Sequence, residues 1–127
     1  MLTAKHGCGF LLWPTLTTFS DGSNYGYHVG NTKDGRDVVG EFSKEMAAAG
    51  LGYGFYYSLP RNYFLNVDAM EVQDDSTWLS NMANVTQEEF ENIAMDQLGE
   101  VRGSSEERLE RRTSGAERQQ HTARRHN

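Results

Sequence analysis

A helical run held between two runs of strand character limits this chain more than any other feature. The leading run, Met1 to Phe10, reads as a buried strand: Leu2 and Ala4 flank Thr3, Lys5 and His6 break the apolar pattern, and Gly7 and Gly9 free the backbone to turn. The trailing run, Leu51 to Ser58, centres on Phe55, Tyr56 and Tyr57 and stops at Pro60, which cannot donate to a sheet ladder. Between them Val38, Val39, Phe42, Met46 and Ala49 recur at helical spacing, Asp34 or Asp37 offers an N-cap, and Gly50 can take a left-handed C′ position. A helix is predicted from about Asp37 to Ala49. Strand, helix, strand is a βαβ unit, so the two strands are expected to run parallel through a right-handed crossover, with His6 and Ser58 at the same edge of the sheet. In α/β proteins that edge is where ligands bind.

The remaining chain divides into two irregular stretches, one helix and a tail. Thr15 to Arg36 is read as a long loop with a turn at Asp21-Gly22 and the triplet Tyr25-Gly26-Tyr27, a kind of connection more often functional than idle. Arg61 to Asn84 is polar and acidic. Thr86 with Glu89 makes a capping box, and Phe90, Ile93, Ala94, Gln97, Leu98 and Val101 trace one face of a helix behind it. From Arg102 to Asn127 the only large apolar residue is Leu109, so this segment is expected to be disordered or a frayed charged helix.

Charge narrows the partners. Residues 1–101 carry five Lys or Arg against fourteen Asp or Glu, whereas the tail carries seven Arg against four Glu, for a net charge of -6. An acidic body argues against nucleic acid or an anionic membrane as partner, since phosphate binding needs clustered positive charge. In the tail the arginines alternate with glutamates and lack aromatic neighbours, which points to a solvated segment rather than an RNA contact. No run approaches the roughly 20 apolar residues of a membrane span, and none reads as a signal peptide. The lone Cys8 rules out an internal disulfide, and His6, His28, His121 and His126 lack metal-ligand spacing. No metal or cofactor is expected.

Bland readings prevail at several other positions. Asp68, Glu71, Asp74 and Asp75 are read as solvated acids rather than an acid/base pair. Cys8 with His6 lacks the third group that would orient a base toward a thiol nucleophile. Trp13, followed by Pro14, is read as packing beneath the loop. Asn84-Val85-Thr86 is a glycosylation sequon, but it also serves as a helix start.

Taken together, Leu-Thr-Ala-Lys-His at 2 to 6, Gly-Phe-Leu-Leu-Trp-Pro at 9 to 14, Asp-Val-Val-Gly-Glu-Phe at 37 to 42 and Ala-Gly-Leu-Gly-Tyr-Gly-Phe-Tyr-Tyr-Ser at 49 to 58 resemble the α-L-fucosidases of glycoside hydrolase family 29, in order and spacing. Val85 to Leu98 resembles the family helix that precedes the nucleophile strand. The resemblance covers residues 1–101 and implies an α/β fold, an incomplete slice of a (β/α)8 barrel. It also implies a fucosylated glycan as substrate and retaining hydrolysis by two carboxyl groups about 5 to 5.5 Å apart. By the same resemblance His6 matches the first histidine of a Lys-His-His-Asp/Glu-Gly-Phe motif that hydrogen-bonds the sugar. Tyr56 aligns with a tyrosine lining the same pocket, and alternation puts it on the face of Gly54 and Ser58, opposite Phe55 and Tyr57.

There are departures. Gly7 stands where the second histidine is usual and Cys8 where the acid is usual. No Trp-Phe-Asp-Gly-Gly-like strand carrying the nucleophile follows Val101, and the acid/base residue of the family lies later still. The chain is therefore expected to hold no catalytic residue and to be inactive alone, with the switch at Val101 suggesting a shifted frame or an unspliced intron. Longer relatives are expected to be secreted or lysosomal. The alternatives are a noncatalytic fucose-binding module and a nonfunctional truncated product.

Overall fold

The structure, a computed structural model, describes residues 1–73 and 85–103. Asp74, Asp75, Asn84 and the tail beyond residue 103 lie outside the described residues, and with them the expectations placed there. Strand β1 spans Leu2–Lys5, helix α1 Val38–Ala48 and strand β2 Phe55–Tyr57, and β1 and β2 pair in parallel as the βαβ reading requires. Two further backbone bonds lengthen the pairing, Leu2 N–H to the Gly54 carbonyl at 3.0 Å and Ser58 N–H to the Lys5 carbonyl at 2.9 Å. The molecule is of the α/β class.

Both strands are shorter than their sequence runs. β1 gives way to a turn closed by Gly9 N–H on the His6 carbonyl at 3.2 Å. Gly9 has φ +86°, and a Cβ there would lie 2.3 Å from Asn62 Oδ1 and 2.8 Å from Phe64 Cβ, so only glycine fits. Of the Leu51 to Ser58 run the aromatic centre forms the strand, Gly54 and Ser58 add one backbone bond each at its ends, and Leu51 to Tyr53 stay outside the pairing.

Helix α1 begins at Asp37, whose Oδ1 accepts from Gly40 N–H at 2.8 Å. It ends in a Schellman motif: Leu51 N–H reaches the Met46 carbonyl at 3.0 Å, Gly50 N–H reaches the Ala47 carbonyl at 3.1 Å, and Gly50 has φ +71°. Val39 is buried and Phe42 half-buried against Tyr53 and Phe55, whereas Ala49 is exposed as the helix runs out past the sheet.

A second helix, α2, occupies residues 87–103. Phe90, Ile93, Ala94, Gln97 and Val101 are buried on one face, with Leu98 partly so. Its capping box is only half made. Glu89 N–H donates to Thr86 Oγ1 at 3.1 Å, but the Glu89 carboxylate accepts from Ser20 N–H at 2.7 Å and Ser20 Oγ at 2.9 Å instead of returning to Thr86.

That diversion reflects how the loop expected at Thr15 to Arg36 is held. Rather than a free connection, it is pinned to α2 and to the core. Glu100 accepts from Trp13 Nε1 at 3.2 Å, Leu16 N–H at 2.7 Å, Thr17 Oγ1 at 3.2 Å and Thr15 Oγ1. The loop folds on itself around Asp21-Gly22, and Tyr25 is fully buried, its hydroxyl donating to the Gly9 carbonyl at 2.6 Å and accepting from Asn62 Nδ2 at 3.1 Å. The second irregular stretch is also more ordered than expected. It holds a hairpin of β3 (Val67–Asp68) and β4 (Glu71–Val72), whose turn residues Ala69 and Met70 sit at φ +48° and +70°. With no glycine or asparagine at those two positions the turn leaves no mark in the sequence. Tertiary bonds hold it: Met70 N–H to the Pro60 carbonyl at 2.9 Å and Gln87 Nε2 to the Met70 carbonyl at 2.8 Å.

A candidate sugar-binding edge

The strand register decides which side chains meet at the sheet edge. Leu2 pairs with Phe55 and Thr3 with Tyr56, but Tyr57 pairs with Lys5 rather than Ala4, a one-residue shift. Regular alternation would send His6 to the face of Phe55 and Tyr57, away from Tyr56. With Ala4 absorbed in the shift, Ala4 and Lys5 both turn inward and His6 emerges on the side of Thr3 and Tyr56. The rings of His6 and Tyr56 accordingly lie 6.1 Å apart between centroids, tilted by 43°, and both residues are exposed, Tyr56 at 45%. The two candidate residues share one solvent-facing edge.

Beneath them is a buried polar layer. Lys5 is 1% exposed, and its ammonium donates to the carbonyls of Ser58 and Arg61 while lying 4.8 Å from the centre of the Tyr57 ring. Burial lowers its pKa to about 8, with Cys8 pulling weakly the other way. The Tyr57 hydroxyl donates to Gln97 Oε1 at 2.6 Å, and burial raises the pKa of both Tyr57 and Tyr25 well above the ordinary phenol value. The sequence reading missed Lys5, treating it as the break in an apolar run. The signal was weak: one basic residue beside a strand end and two glycines.

The other candidates fall as follows. Gly7 is buried, and a Cβ there would meet Arg61 Cβ at 3.5 Å, an ordinary contact. Cys8 is exposed. His28 is buried, its Nδ1 accepting from Gly30 N–H at 3.0 Å, and caps a turn of 3-10 helix, Val29–Asn31. Trp13 is buried beneath the loop as expected. Asp68 and Glu71 are register partners across the hairpin, but Asp68 is engaged by Arg61 at 3.3 Å and by Ala69 N–H at 2.9 Å, a structural use of the carboxylate. Among the described residues no group of three His, Cys, Asp or Glu could hold a metal ion, and no helix is long and apolar enough to cross a membrane. A groove of about 430 Å³ between Phe19 and the first turns of α2 is lined by Glu88, Glu89 and Asp96 and does not include the His6 edge.

The family model described as Alpha-L-fucosidase matches residues 1–107, and the chain belongs to that family. Among relatives, it is 44% identical over 59 residues to the rice (Oryza sativa subsp. japonica) protein named "Putative alpha-L-fucosidase 1", a match covering 46% of this chain and 10% of the relative. The aligned part thus spans about a tenth of that protein's length. No solved structure matches the chain.

Proposed function

We propose that this chain is part of a retaining α-L-fucosidase and that His6 and Tyr56 line the portion of its pocket that holds the deoxy sugar. The observation that carries the reading is the meeting of those two rings, 6.1 Å apart, where His6 leaves β1 beside Tyr56 of the parallel strand β2. A histidine can exchange hydrogen bonds with sugar hydroxyls, and a half-exposed tyrosine adds a phenol and an apolar ring face against the sugar's C–H edge. The βαβ unit is read as a slice of a (β/α)8 barrel, a fold of about 250 residues whose ligand site lies at the strand exits. Residues 1–101 form its share of the catalytic domain.

In the retaining mechanism one carboxylate attacks the anomeric carbon while a second carboxyl group protonates the leaving oxygen, and water then releases the sugar. Neither group is assigned to this chain. Two of its acids are engaged elsewhere, Asp68 with Arg61 and Glu100 with the loop after β1. The chain therefore contributes binding and orientation, with substrate a fucosylated glycoside.

The test is a pair of measurements on the 127-residue chain. Titration calorimetry with L-fucose is expected to show binding on the order of 1 mM, weakened about fivefold in His6→Ala and in Tyr56→Ala, as loss of one sugar contact requires. An aryl α-L-fucoside is expected to show no turnover. Absence of fucose binding sinks the pocket assignment, and turnover sinks the claim that the catalytic carboxyl groups lie elsewhere.

A further inference from the structure

We infer that Lys5 is the positioning residue of the His6–Tyr56 edge: its buried ammonium, bonded to the carbonyls of Ser58 and Arg61, holds the register shift that turns His6 toward Tyr56. This deepens the sugar-binding reading and rests on it for the consequence in affinity, though not for the anchoring itself.

The argument begins with placement. Lys5 is the last residue of β1 and immediately precedes His6, while Ser58 and Arg61 bracket the chain just after β2. A single side chain thus ties the exit of one strand to the exit of the next. An ammonium donates three hydrogens and accepts none, so two carbonyls and an aromatic face are the surroundings that satisfy it without a carboxylate. No acidic side chain enters the account; the titratable groups facing the amine are Tyr57 from β2 and Cys8 from the turn.

The register supplies the second step. Ala4 and Lys5 are consecutive and both buried, at 0% and 1% exposure, and the pairing with β2 slips by one residue between Thr3 and Lys5, so that Lys5 rather than Ala4 lies opposite Tyr57. An inward Lys5 is the condition for an outward His6, because the two are adjacent in extended backbone. Were the ammonium released, the shift would lose the bonds that oppose regular pairing. Lys5 would then return to the solvent face and carry His6 to the face of Phe55 and Tyr57. The lysine touches no sugar. It acts through the histidine.

Lys5→Met keeps most of the buried stem and removes a desolvated charge, which offsets the loss of a donor by the Ser58 and Arg61 carbonyls. Lys5→Met is therefore expected to keep the fold, with the core signals of Trp13 and Tyr25 retained in NMR spectra, while the His6–Tyr56 ring contact disappears and L-fucose affinity falls about fivefold, as it does in His6→Ala. Lys5→Cys in a Cys8→Ser background, aminoethylated to rebuild a lysine-like amine, is expected to restore both. Retention of the ring contact and of affinity in Lys5→Met overturns the inference. Loss of the ring contact, in a chain whose wild type binds no fucose, upholds the anchoring and sinks only the sugar reading. If Lys5→Met fails to fold, the wild type decides: slowly exchanging Lys5 ammonium protons with hydrogen-bond couplings to the Ser58 and Arg61 carbonyl carbons uphold the inference, and a freely exchanging ammonium overturns it.

Discussion

Gly9 and Gly50 show how differently two glycines at positive φ can matter. At Gly50 nothing lies within 4 Å of a built Cβ, so Gly50→Ala meets only the left-handed backbone penalty and is expected to cost about 1 kcal/mol. At Gly9 the same penalty is joined by collision with Asn62 and Phe64, and Gly9→Ala is expected to cost about 2 to 4 kcal/mol, both read as urea midpoints at constant slope. Gly7 is the opposite case. Its Cβ position is in ordinary contact with Arg61 and Tyr63 and its φ is not left-handed, so Gly7→Ala is expected to leave the urea midpoint nearly unchanged.

At the scale of elements, α2 does more than cover the sheet. Glu100 gathers Trp13, Thr15, Leu16 and Thr17, and Glu89 gathers Ser20, so one helix fixes the long segment after β1 at two points. Glu100→Ala leaves several of these donors without a partner and is expected to destabilise by about 2 to 3 kcal/mol, with the fluorescence of Trp13, read in a Trp78→Phe background that removes the second tryptophan, shifted to the red as the loop lifts. A blue or unmoved emission would show that packing alone holds the tryptophan. The helices themselves were readable from spacing and caps, since a buried face recurs every three or four residues and Asp37 and Gly50 stop the helix where expected. The hairpin at Val67 to Val72 was not, because Ala69 and Met70 carry the turn without the residue types that announce one.

For the whole molecule, the buried lysine and phenols set a pH signature. The folded pKa of Lys5, about 8, lies below its ordinary value of 10.5, so between those values the unfolded chain binds more protons and stability rises with pH. The full contribution is about 3 kcal/mol, present above pH 10.5 and lost as pH falls through 8. Tyr25 and Tyr57 act in the opposite sense: with folded pKa values raised, the folded state keeps its protons and stability falls once pH passes the ordinary phenol value near 10. Urea unfolding of the wild type is expected to show stability climbing from about pH 8 to 10 and then declining, with the climb absent in Lys5→Met. A flat wild-type profile over that window would mean that the ammonium is not desolvated.

Local rules in the sequence determined the order of strand, helix and strand, the helix ends and the family motifs, because capping, periodicity and glycine conformations act over a few residues. Pairing of the strands in parallel followed from that order, since a helical crossover joins them. What tertiary structure alone decided was the register. A one-residue shift at Ala4 is invisible to alternation, and it sends Lys5 into the core and His6 out beside Tyr56. It is held by carbonyls more than fifty residues away, contacts that form only when the two strand exits have come together.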